Sequence, residues 1–173
     1  MKVAVALGSN LGDRRAHLTW AVAQLRRHIS NLRVSSFIET DPVGVDGPQP
    51  AYFNAAAVGE TDDSADALLD ALLSIERARG RTRPSPNAPR TLDLDLILYG
   101  AAVIDGPGLV VPHPRFRTRR FVLAPLVELE PEWKDPVTGC SMEELLQQLR
   151  IITSRWRGAW HMNAQLEFKL ELT

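Results

Sequence analysis

Cysteine is nearly absent from this 173-residue chain: Cys140 stands alone. One thiol cannot close an internal disulfide, so a disulfide scaffold is excluded and a reducing cytoplasm is the expected setting, with Cys140 an inert, at least partly buried thiol. No apolar run approaches the ~20 residues of a membrane helix. Met1-Lys2-Val3-Ala4-Val5 enters directly on a strand pattern with no secretory apolar region. Net charge is also scarce, at −1, which argues against a nucleic-acid partner. No Gly-x-x-x-x-Gly-Lys-Ser/Thr run occurs, which excludes a P-loop kinase. No strand carries the aromatic-glycine motif of an RNA-binding sheet. The chain is nonetheless 45% apolar and 24% charged, enough for one domain with a full core.

The most informative stretch runs from Arg90 through Thr91-Leu92-Asp93-Leu94-Asp95-Leu96 to Gly100. In a strand, alternate residues share a face and lie about 6–7 Å apart. Asp93 and Asp95 therefore point one way, while Leu92, Leu94 and Leu96 face a core. Two neighbouring carboxylates repel, so a cation belongs between or above them. A hard divalent ion such as Mg²⁺, its shell completed by phosphates, suits that place. A half-solvated strand of alternating polarity would give the same pattern. The charge distribution favours the cation: Arg77 to Arg120 holds nine arginines against three acids, a local charge of +6, with −7 elsewhere. Arginine is suited to bidentate phosphate contacts.

The periodicity predicts strands over Lys2 to Leu7, Leu32 to Ile38, Tyr52 to Val58 and Thr91 to Tyr99. It predicts helices over Arg14 to Ile29 (Asp13 as cap) and from Asp62-Asp63-Ser64 onward, with Leu68, Leu72 and Ile75 as the apolar stripe. Loops rich in proline fill Asp41 to Pro50 and Gly80 to Pro89. This order, βαββαβ, predicts an α+β, ferredoxin-like sandwich: an antiparallel sheet with helices on one face. A short strand at Leu109 to Val111, a helix over Arg120 to Leu129 and one over Met142 to Leu149 (Ser141 as cap) follow. Residues 1–150 read as one domain and 151–173 as a C-terminal extension. Glu167-Phe168, Lys169-Leu170 and Glu171-Leu172 are dipeptides that cloning sites encode in frame, so the last residues read as vector-derived. A native extension docking through Trp156 and Trp160 is the other reading.

Four motifs stand in order: Leu7-Gly8-Ser9-Asn10-Leu11-Gly12-Asp13, Tyr52-Phe53-Asn54-Ala55, Pro89-Arg90-Thr91-Leu92-Asp93-Leu94-Asp95, and Val111-Pro112-His113-Pro114. Together they resemble the 6-hydroxymethyl-7,8-dihydropterin pyrophosphokinases of folate synthesis, over about residues 2 to 149. The resemblance implies transfer of the β,γ-diphosphate of ATP to the pterin hydroxymethyl group, with AMP released and no side-chain nucleophile. It implies two Mg²⁺ ions on Asp93 and Asp95. It implies Arg81 and Arg90 as catalytic, and Arg83, His113, Arg119 and Glu76 in ATP binding, Glu76 as an organiser of the arginines. For the pterin it implies Tyr52, Asn54 and Phe121, with the main chain of Thr40, Pro42 and Val43 closing the pocket. Other enzymes of the pathway, dihydroneopterin aldolase and dihydropteroate synthase, stay open as partners, and the chain is too short to contain either.

There is one departure. The family often places Trp-Gly before the Pro-Arg-Thr-Leu-Asp-Leu-Asp run, and Asn87-Ala88 stands there here, which affects a water-excluding lid rather than the metal site. Two rivals carry a different chemistry. A nucleotidyltransferase also pairs Gly-Ser with Asp-x-Asp, but at much shorter spacing than the 85 residues from Gly8 to Asp93. A non-enzymatic RNA-binding sheet would need stacking aromatics where Asp93 and Asp95 stand.

Overall fold

The computed structural model describes residues 1–42, 49–80 and 89–151. Its elements are β1 (Lys2–Ser9), α1 (Arg14–Leu25), β2 (Ser30–Val34), β3 (Ile38–Thr40), β4 (Tyr52–Glu60), α2 (Ala65–Ala78), β5 (Asp93–Tyr99), β6 (Ile104–Gly106), β7 (Leu109–Val111) and α3 (Arg120–Leu129). Residues 142–151 form a further helix, α4. The main sheet is antiparallel with strand order β2-β4-β1-β5, and β3 pairs with β4. β6 and β7 form a separate hairpin.

The caps hold as expected. The Asp13 carboxylate accepts the Ala16 N–H, and the Ser64 hydroxyl accepts the Ala67 N–H. Ser141 and Glu144 satisfy each other's backbone donors at the start of α4, a reciprocal arrangement that closes two otherwise orphaned N–H groups. α1 is shorter than its apolar spacing suggests. It ends at Leu25, and Ile29 is still core, reached through a turn in which its N–H bonds the Leu25 carbonyl.

Two expectations are corrected. The stretch Leu32 to Ile38 is not one strand but two. Ser35 inserts its hydroxyl into the ladder, accepting the Ala56 N–H at 2.9 Å, and the chain bends before β3 begins. The helices also cover both faces of the sheet rather than one. Val3, Val5, Leu7, Leu94 and Leu96 pack with Leu18, Leu25, Leu68 and Leu72 of α1 and α2. Ala4, Ala56, Val58, Ile97 and Leu98 pack with Leu123, Leu126, Met142 and Leu145 of α3 and α4. The cause is in β1 and β4, where consecutive residues are apolar, so both faces must be buried.

β5 keeps its Asp/Leu alternation only to Leu96. The β1–β5 register then shifts, with Ala4 opposite Leu98 and Val5 opposite Leu96. Ile97 is the extra residue of a bulge, which puts Ile97 and Leu98 in the same cluster. The Ile97 carbonyl, freed from the regular ladder, accepts the N–H of His113 at 3.0 Å. The strand irregularity thus fixes where the segment after β7 begins.

Candidate active site

One end of the sheet face covered by α3 reaches solvent, where the Asp93 and Asp95 side chains are 22% and 33% exposed. Gly8 lies opposite Asn54 on one side and Asp93 on the other. Strands sit about 4.8 Å apart, so the Asn54 and Asp93 backbones stand roughly 10 Å apart on one row, with glycine between. The next row is Ala56, Ala6 and Asp95. Small residues therefore floor the cleft and polar side chains wall it. A Cβ at Gly8 would come 3.4 Å from Asn54 Oδ1 and 3.8 Å from both the Asp93 Cβ and the Tyr52 ring, so glycine keeps this floor low.

At the carboxylate end, Arg90 Nη1 donates to Asp93 Oδ2 at 2.9 Å. Asp95 Oδ2 faces Arg119 Nη1 at 3.5 Å and His113 Nε2 at 3.8 Å. Burial works against the Arg90 guanidinium, but the Asp93 carboxylate outweighs it and raises its pKa above the ordinary arginine value. His113 moves the other way. Burial pushes its pKa below the ordinary histidine value, Arg119 and Arg115 add to this, and Asp95 only partly opposes them. His113 is therefore neutral near pH 7. Its Nδ1 accepts the Arg115 N–H at 3.2 Å, so the neutral ring carries its proton on Nε2, the nitrogen that faces Asp95.

A hard cation fits here. Among the described residues no cluster of three or more His, Cys, Asp or Glu side chains is placed to hold a metal. Two carboxylates with open positions toward the cleft are what Mg²⁺ takes when substrate phosphates and water supply the other ligands.

At the amide end, Asn54 donates from Nδ2 to the Thr40 hydroxyl at 2.7 Å. Phe121, on the first turn of α3, packs against the cluster under α3, with the Arg119 guanidinium 5.6 Å from its ring centre. Tyr52 borders Gly8. Pro42 stands two residues beyond Thr40, the last residue of β3. Thr40 thus meets Asn54 through its side chain, which the sequence does not signal.

Glu76 lies behind the site, on α2, and is 2% exposed. Its Oε1 accepts the Leu94 N–H at 2.7 Å. β5 is an edge strand, and this carboxylate covers an outward N–H between the two aspartates. Sequence reasoning also passed over Asn10, which is 1% exposed. It clasps the Arg90 main chain, donating its N–H to the Arg90 carbonyl and accepting the Arg90 N–H on Oδ1 at 2.8 Å. Its Nδ2 reaches the Gln49 side chain and the Pro50 carbonyl. The signal was its place in the Gly-Ser-Asn motif. Val43, Arg81, Arg83, Asn87-Ala88 and the extension from 152 onward lie outside the described residues.

The 7,8-dihydro-6-hydroxymethylpterin-pyrophosphokinase family model matches residues 4–131. A Bacillus subtilis 2-amino-4-hydroxy-6-hydroxymethyldihydropteridine pyrophosphokinase is 41% identical over 142 residues, 81% of this chain and 84% of its own length. The Pseudomonas aeruginosa protein of the same name is 40% identical over 147 residues, covering 84% of this chain and 90% of its own. The wild-type HPPK-DHPS structure of Plasmodium falciparum superposes with a TM-score of 0.63 at 13% identity, over 85% of this chain and 44% of that one. This chain thus spans less than half of that longer protein, and the likeness there is one of fold. The motifs, the sheet and these relatives agree: the chain belongs to the 7,8-dihydro-6-hydroxymethylpterin-pyrophosphokinase family.

Proposed function

We propose that this chain transfers the β,γ-diphosphate of ATP to the hydroxymethyl oxygen of 6-hydroxymethyl-7,8-dihydropterin, giving the pterin diphosphate and AMP. The observation that carries this reading is the single row Asn54–Gly8–Asp93, which sets an amide across a glycine from a carboxylate pair. Asn54 offers donor and acceptor to the mixed edge of a pterin, and Phe121 offers a face on which it stacks. Tyr52 and the main chain of Thr40 and Pro42 complete that pocket, with Val43 proposed as a further contact.

Asp93 and Asp95 would hold Mg²⁺, in two ions, and the metal when bound would supply neutralisation of the phosphate charge. Arg90 and Arg119, now beside the carboxylates, turn to phosphate oxygens when ATP binds, and Arg81 and Arg83 are proposed as further phosphate contacts. His113 donates from Nε2–H. The alcohol oxygen attacks the β-phosphorus in line and gives up its proton to solvent, the bond to the α-phosphate oxygen breaks, and AMP leaves with that oxygen's charge. No side chain is needed as nucleophile. Orientation and fixed charge carry the rate.

The order β2-β4-β1-β5 supports reading the core as a ferredoxin-like sandwich. No helix among the described residues is long and apolar enough to cross a membrane, and with the lone Cys140 this supports a cytoplasmic enzyme. The test is phosphorus NMR of Mg²⁺, ATP and 6-hydroxymethyl-7,8-dihydropterin with the protein. AMP together with a pterin diphosphate is expected. ADP, or AMP attached to an acceptor, would sink the reading.

A further inference from the structure

The segment from Pro112 to Arg120 joins β7 to α3 and contains only one 3-10 turn, Phe116–Thr118. It carries His113 and Arg119, both facing Asp95. Two other side chains of the same segment tie it down. Phe116 is 0% exposed in the core beneath α3 and α4. Arg117 forks onto Asp135, donating from Nε to Oδ2 and from Nη2 to Oδ1, each at 2.7 Å.

Asp135 sits in the turn between α3 and α4 and is itself 0% exposed. It also accepts the Thr138 hydroxyl at 2.6 Å and the Val137 N–H at 3.2 Å. Four donors fix one buried carboxylate, and the fork fixes the plane of the guanidinium. Taking such a pair out of water is costly, and apolar residues often serve stability as well. What the pair supplies that apolar packing does not is orientation, two residues from Arg119 and four from His113.

We propose that Asp135, acting through Arg117, is a positioning residue for ATP: it holds the segment that presents His113 and Arg119 to the triphosphate. The proposal rests on the reading of those two side chains as phosphate-facing. Arg117 and Asp135 bond each other, and Asp135 also takes Val137 and Thr138, so the pair acts through the segment and not by contact with substrate. The pair ties the turn at 131–141 to the segment that carries His113 and Arg119, whereas Phe121, two residues beyond Arg119, has its own anchor in the cluster under α3, so loss of the pair should fall on ATP more than on the pterin.

The experiment compares full-length Asp135→Asn, Arg117→Lys and Thr138→Val with Arg119→Ala and His113→Ala. KM for ATP is measured at saturating pterin and Mg²⁺, and pterin affinity by fluorescence. Asp135→Asn is expected to raise KM for ATP about tenfold, the scale on which displaced groups act, with pterin affinity within about twofold. Arg117→Lys and Thr138→Val follow the same selective pattern to a smaller degree, and serve alone if Asp135→Asn does not fold. In an Arg119→Ala, His113→Ala background, Asp135→Asn should add little. An unchanged KM for ATP in all three anchor variants, with Arg119→Ala impaired, would overturn the positioning role and leave the site reading standing. Equal loss of ATP and pterin affinity would make the pair a structural staple and overturn it too. If Arg119→Ala and His113→Ala both use ATP normally, the site reading fails and the proposal falls with it.

Discussion

Removing Glu76 should damage both stability and catalysis, although the residue lies behind the cleft. Its carboxylate accepts the Leu94 N–H at 2.7 Å and is 2% exposed. Glu76→Ala leaves a buried strand donor unsatisfied, which costs roughly 1–3 kcal/mol. The vacated side-chain volume adds to that, so a loss of about 3 kcal/mol is expected. Glu76→Gln keeps an acceptor oxygen in place and loses mainly the charge, at about 1 kcal/mol. For a domain of this size each kcal/mol moves Tm by about 2–4 °C, so the alanine variant should melt roughly 6–12 °C lower and the glutamine variant only a few degrees lower. Because Leu94 stands between Asp93 and Asp95, the alanine variant should also lose turnover disproportionately, about tenfold or more, as the carboxylates lose their register. Differential scanning calorimetry and a coupled AMP assay give both numbers. An alanine variant as stable and active as the glutamine one would refute the idea that this bond holds the strand.

Asp93→Asn and Asp95→Asn should each abolish turnover with Tm little changed; residual activity near wild type in either would remove that carboxylate from the metal site. By NMR, the His113 ring should titrate with a midpoint below the ordinary 6.5. The folded state resists its protonation while the unfolded chain does not. His113 therefore lowers stability as pH falls from 6.5 toward that midpoint and has no such effect above 6.5. Asp135 has the opposite chemistry. Burial raises its pKa, but Arg117, Thr138 and Val137 outweigh it and hold it below 3.8. Its contribution to stability is complete above pH 3.8 and is lost as pH falls through the lower folded value, so Asp135→Asn should flatten the acid limb of the stability curve. Gly59→Ala should cost about 1–3 kcal/mol by overpacking, since a Cβ there would lie 2.5 Å from the Ser30 carbonyl oxygen and 2.6 Å from the Ile29 side chain; an unchanged urea midpoint would contradict this.

Much of the geometry of the candidate site was legible because it is written in local alternation. The period of two in Leu92-Asp93-Leu94-Asp95-Leu96 put both carboxylates on one face, and β5 has them there. The helix caps Asp13 and Ser64 were equally local. What the pattern did not carry was non-local. The bulge at Ile97 depends on how β5 pairs with β1, and no residue in the run announces it. The second helical layer follows from the alanines of β1 and β4, which look neutral until both faces are seen to be covered. Asn10, Thr40 and Asp135 act across gaps of 80, 14 and 18 residues, and short polar side chains give no hint of partners so distant. The split of the second strand came from one serine hydroxyl entering the ladder.

The central claim is that one cleft end binds metal and triphosphate and the other binds the pterin. A crystal structure with Mg²⁺, a non-hydrolysable ATP analogue and 6-hydroxymethylpterin tests it most directly. The account predicts metal between Asp93 and Asp95, Arg119 and His113 on phosphate oxygens, and the pterin between Asn54 and Phe121. Metal or nucleotide bound away from Asp93 and Asp95, with the pterin elsewhere than beside Asn54, would contradict it.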